Sequence, residues 1–395
     1  MWKIPTAARA ALLVPVLGSW AAAGRAQSVT EFTIPTAGAR PQCMAPGADG
    51  NVWVAERMFA KIGRVTPSGA ITEFPAGGAT VGGLTLREQC ITKGPDGNLW
   101  FTVTETTNGQ IGKITPTGVV TVFPTIVTDG RLYSITAGSD GALWFTNAGN
   151  SSHIVRITTD GTITEYPTPT NAGFFNTEGS ITAGPDGNLW FAENNANKIG
   201  RLDPTKLAGC AMTPTICMTE FAIPTASSGA SAITAGPDGA LWFTEKTANK
   251  IGRITTAGVV TNEFAITTAA AGANDITTGP DGNLWFTEEA VNKIGKMTTS
   301  GIVTEIAVPT ASSQPEGIAL GPDGNIWFSE YSASKIGRVN LTGGGGNPTA
   351  TPTPSPTPHG PTPTPTPTGT SGGAPRGHVT PLPVASPRLN ENGRQ

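Results

Sequence analysis

The sequence predicts an all-β fold: a seven-bladed β-propeller of four-stranded blades, closed by its N-terminal strand and followed by a disordered C-terminal tail. Three observations predict it. First, one ten-residue phrase recurs seven times, most clearly as GPDGNLWFTE at Gly279 to Glu288 and GPDGNIWFSE at Gly321 to Glu330, with the other copies centred on Trp53, Trp100, Trp144, Trp190 and Trp242. Second, successive tryptophans are 47, 44, 46, 52, 43 and 42 residues apart, the period of a propeller blade. Third, the two ends of the repeat are complementary. The last unit reaches Lys335-Ile336-Gly337-Arg338-Val339 and then dissolves into Gly343 to Gly346, without a fourth strand. The segment Val29 to Ile34 is a fourth strand without the first three. Pairing it with the last unit closes the ring and leaves no open inner edge.

The sixth unit shows each element in order. Asp275 to Thr278 is the inner strand A. Pro280-Asp281-Gly282-Asn283 is a turn, because Asp-Gly accepts the positive φ of a tight hairpin. Leu284 to Thr287 is strand B, and its unbroken apolar run suits a strand covered on both faces by neighbouring blades. Lys293 to Met297 is strand C, whose Gly295 leaves room for a large aromatic. Ser300-Gly301 turns the chain into strand D, Ile302 to Ile306. Thr and Glu on strands of this last type, as in Ile71-Thr72-Glu73-Phe74, suit an outer, solvent-facing edge.

Residues 28–341 are therefore assigned to the propeller. Residues 1–26 read as a signal peptide, with Lys3 and Arg9 before a mostly apolar run and Gly24-Arg25-Ala26 as a small-residue cleavage site. A retained anchor is the alternative. No later segment is apolar and long enough to span a bilayer. Residues 342–376 form a Gly/Thr/Pro-rich linker, extended by its prolines, and residues 377–395 a polar disordered tail. The expected location is secreted or cell-surface. Charged residues make up 13% of the chain and the net charge is −3, without a basic stripe, so nucleic acid is not an expected partner. A monomer is expected.

Four cysteines suit an exported protein. Cys210 and Cys217 flank the insertion that makes the step from blade four to five the longest, and are expected to bridge. Cys43 and Cys90 occupy equivalent positions just before strand A in blades one and two, where inner strands converge, so a second bridge is open to them. Free buried thiols are the alternative for all four. The repeated Glu after strand B (Glu56, Glu193, Glu245, Glu288, Glu330) falls near the rim and reads as a hairpin partner of the Lys opening strand C, as Glu288 with Lys293. The Asp-Gly turns lack the further acids of a calcium loop, and turn geometry accounts for them.

The phrase GPDGNLWFTE, followed by NKIGR-type strands and by ITEF with IPT, resembles the virginiamycin B lyases (streptogramin lyases), a family of seven-bladed propellers. The resemblance covers about Val29 to Leu341. It implies an Mg2+-assisted elimination that opens a cyclic depsipeptide at its ester, performed by two His and two Glu of the last two blades. The family motifs before strand A are Pro-His-Ala-Ile in blade six and Glu-x-His-Gly-Ile in blade seven. Here those His positions are Asn274, in Ala273-Asn274-Asp275-Ile276, and Glu316, in Gln314-Pro315-Glu316-Gly317-Ile318. Gln314 stands at the first Glu position, and the second falls near Glu330 or Tyr331. The propeller's one histidine, His153, is in blade three. Glu316, Asp275 and Glu330 are the remaining catalytic candidates. Mg2+ is implied by the resemblance alone, and no residue set in the sequence is assigned to a metal.

A ligand face is expected where the copies diverge, around the axis just before each strand A: Gln42, Gln89, Tyr133, Gly179, Ser231, Asn274 and Glu316, with Glu178, Asp275 and Gln314 beside them. Three classes of function fit. One is a secreted binding or interaction module taking a small molecule, glycan or protein at the axial face. The second is a metal-assisted lyase acting on an ester-linked or cyclic peptide-type substrate. The third is a structural surface component displayed on the Thr-Pro stalk.

Overall fold

The computed structural model of the chain describes residues 27–76, 87–104, 109–123, 131–148, 151–171 and 180–341. All belong to the first of two compact units, residues 1–345; the second, residues 346–395, lies outside the described residues, as do the assigned signal peptide and tail. Seven four-stranded antiparallel sheets make up the ring. Six follow chain order A-B-C-D, as in blade six: Ala273–Thr278, Leu284–Glu288, Lys293–Met297, Val303–Ala307. The seventh joins Pro315–Leu320, Ile326–Glu330 and Lys335–Asn340 to the N-terminal strand Ser28–Thr33. That strand pairs from Ser28 opposite Asn340 to Thr33 opposite Lys335, the closure expected from the two incomplete units.

The repeated phrase folds as packing chemistry. Asp281 Oδ1 accepts from the Asn283 amide at 3.3 Å and from the Trp285 indole at 3.1 Å, so one carboxylate sets both the turn and the tryptophan. Gly282 takes φ +71°, the left-handed conformation that the sequence demanded there. All seven of these tryptophans are fully buried. Six of them stack on the aromatic of strand D, as Phe32 on Trp327 at 5.6 Å between ring centroids, while blade six has Ile306 at that position. A Cβ at Gly295 would lie 2.2 Å from Phe286 Cε2, so strand C needs glycine for the aromatic of strand B to cross it.

Two expectations about charge are corrected. The Glu of strand D is not a solvated edge residue: Glu305 Oε1 accepts from the Thr268 amide at 2.9 Å, and Oε2 from Thr268 Oγ1 at 2.6 Å and from Lys293 Nζ at 2.6 Å. Lys293 therefore pairs with Glu305, not with Glu288, although Glu288 stands opposite it in the register. The long lysine reaches outward, to where the Ile266-Thr267-Thr268 connector from the previous blade arrives. The glutamate of strand B turns inward between blades and is wholly buried.

Candidate functional site

Strand A carries the site because it is bulged. In blade six, Ala273 faces Glu288 and Ile276 faces Phe286, leaving Asn274 and Asp275 as the irregularity between them. The same shift occurs in blades one, two, three, five and seven. A bulge re-aims side chains, and here it directs divergent residues to the axis. These positions thus lie within strand A; the expectation that they precede it placed the strand two residues late.

A hydroxyl on strand B fixes the bulge in blades two, three, five, six and seven, whereas blade one has Ala55 at that position. Thr287 Oγ1 accepts from the Asp275 amide at 3.1 Å and donates to the Glu316 carbonyl of the next blade at 2.7 Å. Ser329 does the same for the Gly317 amide, at 2.8 Å, and the Gln42 carbonyl, at 2.7 Å, across the point of ring closure. Thr102 donates to the Tyr133 carbonyl at 2.6 Å. Gly317 is needed at the same seam, since a Cβ there would stand 2.0 Å from the Gln42 carbonyl oxygen.

The bulges enclose an axial cavity of about 110 Å³ to which every blade contributes. Gln42, Tyr133, Ser231, Asn274, Asp275 and Glu316 line it, as does Ser134. So do Ser180 and the Cys43–Cys90 disulfide, which sequence reasoning had not placed there. Gln42, Ser231, Asn274 and Glu316 are buried, each under 9% exposed, so a ligand must enter the cavity to meet them. The Asp275 carboxylate accepts from the Ile276 amide at 2.8 Å and, across the blade gap, from the Ile318 amide at 3.0 Å. Asn274 Oδ1 accepts from Lys246 Nζ at 3.0 Å, and the same ammonium pairs with Glu289 Oε2 at 2.7 Å. Lys246 follows strand B of blade five, and nothing in the repeat distinguishes it beforehand.

Other candidates fall elsewhere. Gln314 is exposed, at φ +53°, with its side chain on the Ser332 hydroxyl. Glu330 is wholly buried between blades, not on the rim, and burial followed by the facing Glu31 pushes its carboxyl up to about 7. Tyr331 is not among the residues lining the cavity, and its ring stands 5.4 Å from the Arg40 guanidinium. The Gln89 side chain and all of Glu178 and Gly179 lie outside the described residues. Both disulfides form, with Cα atoms 4.7 Å apart for Cys43–Cys90 and 5.7 Å apart for Cys210–Cys217. Among the described residues no three His, Cys, Asp or Glu side chains converge to hold a metal ion, and no helix is long and apolar enough to cross a membrane.

Comparison with known proteins points one way. The model of the virginiamycin B lyase family matches residues 80–215 and 209–367. The structure of a streptogramin B lyase is 36% identical and covers 80% of this chain and 97% of its own, with a TM-score of 0.70. Virginiamycin B lyase from Staphylococcus aureus is 36% identical over 80% of this chain and 99% of its own, with a TM-score of 0.69. A catalytically inactive variant of that enzyme, crystallised with quinupristin, is 38% identical over 80% of this chain and 99% of its own, with a TM-score of 0.68. By sequence, architecture and blade count, the chain belongs to the virginiamycin B lyase family.

Proposed function

We propose that the protein is an exported binding module of this family that takes its ligand into the axial cavity and does not turn it over. The observation that carries this reading is the occupancy of the two histidine positions implied by the resemblance. Asn274 and Glu316 stand there, both in the cavity wall, and Asn274 is engaged by the Lys246 ammonium. An amide held by an ammonium supplies no general base near neutral pH. The wall offers amides and hydroxyls from Gln42, Ser134, Ser180 and Ser231 with an aromatic from Tyr133, a surface suited to a polar, largely uncharged small molecule, glycan or peptide loop. Export is supported by residues 1–26 and by the two disulfides.

The residues present do not suit Mg2+. The ion takes carboxylate and water oxygens in a tight octahedron. Here the Asp275 carboxylate is committed to two backbone amides, and a lysine ammonium stands at Asn274. The lyase alternative rests on family membership, and among the described cavity residues Glu316 is the carboxylate it would use as base. Quinupristin tests both readings. Calorimetric titration of the full chain is expected to give saturable binding, weakened by Ser231→Trp, with the ester intact by chromatography. Ester opening at ordinary enzyme turnover would make it a lyase, and absence of binding heat would remove quinupristin-like depsipeptides as ligands.

A further inference from the structure

Five blades carry the same three ionisable side chains. Strand B ends in Glu56, Glu193, Glu245, Glu288 or Glu330, strand C opens with a lysine, and strand D carries Glu73, Glu220, Glu263, Glu305 or Glu31. The lysines are Lys61, Lys198, Lys250, Lys293 and Lys335, each ion-paired with the strand D glutamate. That glutamate also accepts from a threonine of the connector leaving the previous blade. The Thr36 amide reaches Glu73 at 3.2 Å, Thr170 reaches Glu220 at 2.7 Å, Thr225 reaches Glu263 at 3.0 Å, Thr268 reaches Glu305 at 2.9 Å and Thr310 reaches Glu31 at 2.8 Å. Each cluster therefore fastens one blade to the next.

The strand B glutamates are the unusual members. All five are 0% exposed, and no protein N–H or O–H donates to either carboxyl oxygen of any of them. The charged groups facing each are the strand D glutamate and the strand C lysine of its own blade. The lysine is already taken by the strand D carboxylate. In blade seven the Ser313 hydroxyl also faces Glu330, but it is committed to Asn292 Oδ1 at 2.8 Å. The glycine of strand C opens the path outward: a Cβ at Gly63 would lie 2.8 Å from Glu56 Oε1, and one at Gly295 would lie 2.7 Å from Glu288 Oε1. A buried carboxylate with no donor is costly, whereas a neutral carboxylic acid needs only an acceptor for its proton. The facing carboxylate is that acceptor. Glu73, Glu263 and Glu31 stand at hydrogen-bonding distance from Glu56, Glu245 and Glu330.

We propose that each of the five strand B glutamates is a neutral acid, sharing its proton with the strand D glutamate in blades one, five and seven, and that these five protons are part of the latch that fastens the blades. The two remaining blades lack the strand B glutamate and the strand C lysine together. Blade two has Val103, Gln110 and Val122 at the three positions, and the chain entering it reads Ala76-Gly77-Gly78, without the connector threonine. Blade three has Asn147, His153 and Glu165. Burial, followed by the neighbouring glutamate, pushes Glu56, Glu193 and Glu245 up to about 8 and Glu288 and Glu330 up to about 7, in keeping with the geometry. In alkali the proton leaves, two carboxylates face one ammonium, and the latch loosens.

Proton release on unfolding tests this directly. The full chain is mixed with guanidinium chloride at about pH 6 in weak buffer containing an indicator. Strand B glutamates that are neutral in the fold ionise in the unfolded chain, so release of close to five protons per molecule is expected. Release of fewer than three overturns the proposal. Glu288→Gln, which copies the neutral acid, should release one proton fewer and keep the midpoint temperature at about pH 7. Glu288→Gln that releases as many protons as the parent shows Glu288 ionised and overturns the proposal for that blade. The parent measurement needs no variant to fold.

Discussion

The Lys246 ammonium of blade five donates to Asn274 Oδ1 of blade six across 3.0 Å. This contact makes the loss of family chemistry more than the absence of an imidazole. A histidine placed at position 274 would share its surroundings with a cation, which disfavours both imidazolium and a divalent ion. The combined change Asn274→His, Glu316→His and Gln314→Glu is therefore expected to open quinupristin only at trace rates, and addition of Lys246→Met should raise them. The unaltered protein should lie at least about 10²–10⁴-fold below an active lyase, the usual cost of a missing general base. Chromatographic product counting decides it; equal rates with and without Lys246→Met would remove the lysine from the explanation.

Ring closure predicts a large cost for a small deletion. Removing residues 28–35 takes away the strand paired with Lys335–Asn340, the Phe32 ring stacked on Trp327, and Glu31, which holds Lys335 at 3.0 Å and Thr310. Urea unfolding should show a loss of several kcal/mol, about what burial of a strand's apolar side chains supplies. An unchanged denaturation midpoint would mean that the ring does not depend on this strand.

The fold was legible because its signals are repeated and local. A Gly-Pro-Asp-Gly turn, a tryptophan and a Lys-Ile-Gly strand recur at blade spacing, and two incomplete ends fit each other. The residues around the axis were legible as places of divergence, since packing does not constrain them to match. What they touch was not legible. Lys246 reaches Asn274 across 28 residues of sequence, and Asp275 reaches the Ile318 amide across 43. Pairing by register pointed Glu288 to Lys293. The actual partner of that lysine, Glu305, follows from side-chain reach and from the arrival of Thr268, neither of which is visible in a single repeat.

The two disulfides should differ in worth. Cys43–Cys90 encloses a separation of 47 residues and ties neighbouring blades, whereas Cys210–Cys217 encloses 7 within an insertion. Chain entropy alone assigns about 4 kcal/mol to the first and about 2 to the second. Paired Cys→Ala variants compared by denaturant unfolding should keep that order. A larger loss from the short loop would place its stabilisation in packing of the buried Cys210 and Cys217 rather than in the unfolded chain.

Thr287→Val should be destabilising although it conserves shape. The hydroxyl accepts from the Asp275 amide and donates to the Glu316 carbonyl, so its loss leaves two backbone groups unpaired beside the cavity. A cost of about 1–3 kcal/mol is expected in thermal or urea unfolding. Weaker ligand binding should accompany it, because both groups carry cavity residues. Thr287→Ser, which keeps the hydroxyl, should behave like the parent. If valine and serine variants were equally stable, the bulges would be held by something other than this hydroxyl.

Stability should peak in mildly acidic solution, because two sets of carboxyl groups act in opposite senses. In the first set, burial raises the acids but is outweighed by hydrogen bonds. Thr170 and Lys198 hold Glu220 below its ordinary value, Thr268 and Lys293 hold Glu305 down, and Trp53 and Asn51 hold Asp49 down. Groups of this kind stabilise the fold above their unfolded values, 4.5 for Glu and 3.8 for Asp, and the contribution is lost as pH falls through their lower folded values. In the second set, the strand B glutamates are raised to about 7 or 8. Their contribution is complete below 4.5, the unfolded value, and is lost as pH rises from there through the folded value. Each retained proton is worth at most about 1.4 kcal/mol per pH unit in that window. The first set thus weakens the ring below about pH 4 and the second weakens it progressively above about pH 5. Midpoint temperatures measured from about pH 3 to pH 9 should rise, peak near pH 5 and fall. A midpoint that kept climbing to about pH 8 would show the buried glutamates to be ionised in the fold, with donors supplied from outside the chain.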